Sequence, residues 1–62
     1  MKTVYETNYQ KALDTMLDKV IRKWGYEHEY TIYFATLVDK YYDQANYENR
    51  ETMERAFKGL MK

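Results

Sequence analysis

From Tyr5 to Trp24 the apolar residues fall at 5, 9, 12, 13, 16, 17, 20, 21 and 24, in steps of three, four and one. Only an α-helix turns such spacing into one continuous stripe. Twenty residues of stripe commit a third of the chain to one rod, and the remainder must be built to cover it. The ends agree with the middle. Thr3 and Glu6 have capping-box spacing, in which each side chain satisfies a free backbone N–H at the helix start. Lys19, Arg22 and Lys23 crowd the last turn, where positive charge suits the helix dipole. Gly25 follows and can take the left-handed cap that residues with a Cβ resist. The predicted helix covers about residues 4–24.

A second stripe comprises Tyr30, Tyr33, Phe34, Leu37, Val38, Tyr41 and Ala45. Glu27 and Glu29 lie at its start, the favourable end for acids. This predicts a helix over about 28–45, with Thr36, Asp39 and Asp43 on the opposite side and Ile32 among them. Met53, Ala56, Phe57, Leu60 and Met61 mark a third, shorter helix over about 49–60, capped by Asn46 or Asn49. Gly59 either ends it or sits in its last turn. Two short joints, near 25–27 and 46–49, favour antiparallel neighbours. The expected fold is all-α, a small antiparallel three-helix bundle in one domain spanning 1–62.

Aliphatic residues are few, and the expected core draws on aromatics and Met to replace them. Leu, Ile, Val and Phe number 11 of 62 residues, while eight Tyr, four Met and one Trp make up the deficit. Each buried aromatic removes about 150–250 Å² from water. The topology places Tyr5 and Tyr9 against Tyr41 at one end, with Tyr42 or Tyr47 at the edge and Met53 from the third helix. At the other end Trp24 should meet Tyr30 or Tyr33, with Phe57, Leu60 and Met61. Leu13, Met16, Leu17, Leu37 and Val38 should fill the middle. A chain this short buries only about 60% of its unfolded surface, so a partner or a second copy would help to stabilise it.

Composition removes several function classes. No Cys is present, which excludes disulfides and thiolate metal sites. The longest apolar run is Ile32–Ala35, far short of the ~20 residues of a membrane span. No basic start followed by an apolar stretch reads as a secretory signal. These features predict a soluble, cytoplasmic protein. His28 is the only His, and Glu27 and Glu29 beside it point about 100° away from it on a helix, so the three do not converge on a metal or a proton. The reading is a solvated residue at the start of the second helix. There is no Ser, no second His to activate one of the six Thr, and no Gly-rich phosphate loop. A bundle of this size encloses no pocket of the usual ~300 Å³. Neither an enzyme, a cofactor, a metal nor a small-molecule substrate is expected.

Nucleic-acid binding is the alternative reading, through Lys19, Arg22 and Lys23 at the basic end of the first helix. It is disfavoured by charge. The chain is neutral overall, with net charge +2 over residues 1–25, −3 over 26–45 and +1 over 46–62, whereas binders of phosphate are usually basic.

The favoured reading is a protein–protein interaction or accessory module that docks on another protein or, by self-association, on its own copy. Tyr, Trp and Met are enriched at interfaces, and eight Tyr exceed what a small three-helix core can absorb. Ile32, Ala35 and Tyr42 form a line on the second helix, and Tyr26 and Tyr47 lie in or near the joints. These five residues are the candidate interface. The Lys-, Tyr-, Asn- and Thr-rich surface differs from the Ala, Leu, Glu and Lys of idealised helices, and has the style of a small bacterial or phage open reading frame.

Overall fold

A computed structural model of the chain describes residues 3–62. Three helices run in order, α1 (Val4–Trp24), α2 (Glu29–Tyr41) and α3 (Tyr47–Leu60). Each packs on the other two, which makes an all-α three-helix bundle measuring 34 × 19 × 16 Å. α1 and α2 are antiparallel, since Tyr9 meets Tyr41 at one end and Trp24 meets Tyr30 at the other. α3 returns alongside α1, with Leu60 beside Trp24.

α1 has the bounds that the stripe predicts. The Thr3 hydroxyl accepts the Glu6 N–H at 3.1 Å and donates to the Glu6 carboxylate at 3.2 Å. Gly25 closes the helix by donating its N–H to the Ile21 carbonyl at 2.8 Å. Its φ of 100° is positive as expected, but ψ of 154° is extended rather than left-handed helical. That region is open essentially to Gly alone.

α2 ends at Tyr41, four residues short of the predicted 45, because α1 takes its carbonyls. Continuation would need the Tyr41 and Tyr42 carbonyls to accept the N–H groups of residues 45 and 46. Instead the Tyr9 hydroxyl donates to the Tyr41 carbonyl at 2.6 Å, and Gln10 Nε2 donates to the Tyr42 carbonyl at 3.1 Å. Gln44 closes the end with its own N–H on Tyr41 and its side chain on the Lys40 carbonyl. α3 begins two residues earlier than predicted because the cap is Asn46, whose Oδ1 accepts the Asn49 N–H at 2.8 Å. Gly59 lies inside the helix.

The fully buried side chains are Tyr9, Leu13, Val20, Phe34 and Met53, with Met16 and Val38 nearly so. Three tyrosines of the expected core stripes lie largely outside. Tyr33 is 53% exposed, Tyr5 47% and Tyr30 40%. α2 is rotated so that Thr31, Phe34 and Val38 point inward. Thr31 can be buried because its hydroxyl donates to the Gly25 carbonyl at 2.6 Å. Buried Gln10 is likewise satisfied, by Tyr42 and by Asp43 Oδ1 at 3.4 Å. Trp24 meets Tyr30 edge to face at 4.9 Å, and its Nε1 donates to the Leu60 carbonyl at 2.8 Å.

Candidate protein-docking site

The inward face of α2 determines what is left outside. With Phe34 and Val38 in the core, Ala35 falls on the flank towards α1 and Ile32 one step further out, at 100° per residue. α1 meets that flank with Leu17 and Ile21, the outer edge of its own stripe. Between the two helices runs a groove of about 360 Å³, floored by Leu17, Ile21 and Ala35. Ile32, 58% exposed, and Tyr26, 77% exposed, stand over it. Thr31, Thr36 and Asp39 complete the lining.

Three of the five candidate interface residues, Tyr26, Ile32 and Ala35, therefore converge on one depression. Tyr42 lies beyond its far end. It is half-buried against α1 and its hydroxyl donates to Asp14 Oδ2 at 3.2 Å. Partial removal from water pushes the Tyr42 hydroxyl's pKa upward, and the negative charges of Asp14 and Asp43 push it further. Tyr47 stands elsewhere. It is 77% exposed at the start of α3, beside Tyr5 and Arg50. Sequence reasoning assigned Leu17 to the core and Ile21 to the buried stripe, and so missed the groove floor. The one available signal was the width of the α1 stripe, which has two adjacent apolar residues per turn and exceeds what a single neighbouring helix covers.

His28 is not a solvated side chain. It is half-buried and caps α2, its Nδ1 accepting the Tyr30 N–H at 3.0 Å. Its ring lies 5.0 Å from that of Trp24 and 4.7 Å from that of Tyr30. Among the described residues no group of three His, Asp or Glu is placed to hold a metal ion. No helix among them is long and apolar enough to cross a membrane.

The three candidate nucleic-acid contacts share one end of α1 without forming a common cationic face. Arg22 pairs with Asp18 at 2.9 Å. Lys23 donates to the Lys62 carbonyl at 2.9 Å and lies 5.3 Å from the centre of the Trp24 ring. Lys19 is exposed. The basic residues of α3 are similarly interleaved with acids, Arg50 with Glu54 at 3.2 Å and Arg55 with Glu51 at 2.7 Å.

No protein-family model matches this chain, nor does any curated protein or solved structure match it significantly.

Proposed function

We propose that this protein is a non-enzymatic interaction module that docks on another protein through the groove between α1 and α2. The observation that supports this reading is the convergence of Tyr26, Ile32 and Ala35 over a floor of Leu17 and Ile21. Single exposed apolar side chains are ordinary on any surface. Here two, Tyr26 and Ile32, adjoin the half-buried Leu17, Ile21 and Ala35 in one concave strip, which presents an area that gains from being covered. Tyr26 supplies the type of residue that anchors interfaces, an aromatic body with a polar tip. A standard interface takes about 800 Å² from each partner, and the whole chain exposes 4641 Å². The groove is one part of such a footprint, which suits a modest, reversible contact.

The test pairs the intact chain with Ile32→Glu. Ile32 is exposed, so the variant should keep the helical circular dichroism of the parent. Affinity capture should then enrich a protein with the parent chain that the variant loses. Identical captures by the two chains would refute the groove as the docking surface. Size exclusion with light scattering separates self-association from binding of a foreign protein.

Nucleic-acid contact through Lys19, Arg22 and Lys23 has less support, since Asp18 offsets Arg22 and the Lys62 carbonyl engages Lys23. Flat anisotropy of labelled duplex and single-stranded DNA at low salt is the expected result.

A further inference from the structure

The charges around the groove indicate what kind of segment it takes. Its lining contains one charged side chain, Asp39, and no Lys or Arg among the described residues. Beyond the Tyr42 end lie Asp14, which accepts from the Tyr42 hydroxyl, and Asp43, which accepts from Gln10. The nearest Arg on the α1 wall, Arg22, is held by Asp18. Lys40, the single cation of residues 26–45, lies 5.3 Å from the centre of the Tyr41 ring. The negative charge at the Tyr42 end is also felt by that tyrosine, whose hydroxyl pKa is raised by burial first and then by Asp14 and Asp43.

We propose that the groove binds a basic amphipathic helix, with an apolar stripe seated on Leu17, Ile21 and Ala35 and with Lys or Arg flanking that stripe beside Asp39 and Asp14. This rests on the docking function proposed above. A helix is the occupant because two neighbouring helices offer a furrow and no sheet edge on which a strand could add. The α2 lining from Thr31 to Asp39 spans about 12 Å, the length of roughly two turns of a partner. A second copy of the chain is a poor occupant. A two-fold dimer through this surface would bring no Lys or Arg to Asp39, because the groove lining contains none among the described residues. The basic side chains of another copy lie mostly on α1 and α3, interleaved there with acids, and seating either helix in the groove gives a head-to-tail contact without closure.

The probes are two labelled peptides of about 14 residues, each with Leu at positions i, i+3, i+4 and i+7, one flanked by Lys and the other by Glu. Anisotropy with the intact chain should show the Lys peptide binding at least several-fold more tightly than the Glu peptide. The difference should shrink as salt rises from about 50 to 300 mM, because these exposed charges are screened. Asp39→Lys should narrow or reverse the preference, and Ile32→Asn should weaken both peptides.

Equal binding of the two peptides, still dependent on Ile32, would overturn the basic partner and leave the docking groove standing. Binding that is indifferent to Ile32→Asn, or binding of neither peptide, would overturn both. Sedimentation as a dimer that Ile32→Asn dissociates would assign the groove to a second copy and overturn the basic partner.

Discussion

Individual residues carry more of this fold than their types suggest. Tyr9 is a core aromatic whose hydroxyl also terminates a neighbouring helix. Its pKa lies above the ordinary 10.0, chiefly because burial disfavours the phenolate, with Tyr5 and Tyr41 adding to the shift. A folded-state pKa raised above the unfolded value leaves the stability whole below about pH 10 and removes it as pH rises through the folded value. Urea midpoints should therefore fall above about pH 10. Tyr9→Phe should lower stability at neutral pH by about 1 kcal/mol, for the lost hydrogen bond, read as a lower urea midpoint, and should soften the alkaline fall. Gly59 predicts the opposite sign. It is helical, and a Cβ there would meet nothing within 4 Å. Gly59→Ala should stabilise by about 0.5–1 kcal/mol, seen as a higher urea midpoint at unchanged slope. Gly25→Ala should destabilise by roughly 1–3 kcal/mol, since its φ of 100° is strained for any side chain however open the space.

At the scale of elements, the helix ends are determined by different agents. α1 is bounded by its own neighbours in sequence, Thr3 and Gly25, and its limits are legible from the chain alone. The start of α3 is local too. Asn46→Ala should cost about 1 kcal/mol, with hydrogen exchange accelerating at the Asn49 amide that Asn46 holds. The end of α2 is not local. It is decided by Tyr9 and Gln10, more than thirty residues away. No periodicity in 28–45 carries that information, and the apolar Ala45 extends the apparent stripe past the true end. The inward turn of Thr31 has a nearer cause. A polar residue enters the core only when a partner is waiting, and that partner is the carbonyl of Gly25 in the joint.

For the whole molecule, the core is small enough that single losses are large. A domain of this length holds roughly 3–9 kcal/mol, and Leu13→Ala should remove about 2–5 of it. That variant should lose most of its cooperative thermal transition, whereas Ile32→Asn should leave the transition close to that of the parent. The contrast separates a side chain that holds the bundle together from one that stands outside it. It also bears on function, because a groove residue can be changed for binding only if the fold does not need it.

The sequence alone determined that there are three helices and where the first one starts and stops, whereas the tyrosine-heavy seam it suggested is in the structure a core of Leu13, Met16, Val20, Val38 and Met53 around Tyr9 and Phe34. Helix number and limits follow from spacing and caps, which act within a few residues. It also named Ile32, Ala35 and Tyr26 as surplus apolar surface, because a stripe of known width leaves such residues over. Only the tertiary structure decided that those three meet Leu17 and Ile21 in one furrow while Tyr47 lies elsewhere, and that Tyr33 points outward. Those outcomes depend on the rotation of α2 about its axis and its register against α1. Both are set by contacts such as Tyr9 with Tyr41 and Gln10 with Tyr42, which join residues 32 apart and which local pattern cannot encode.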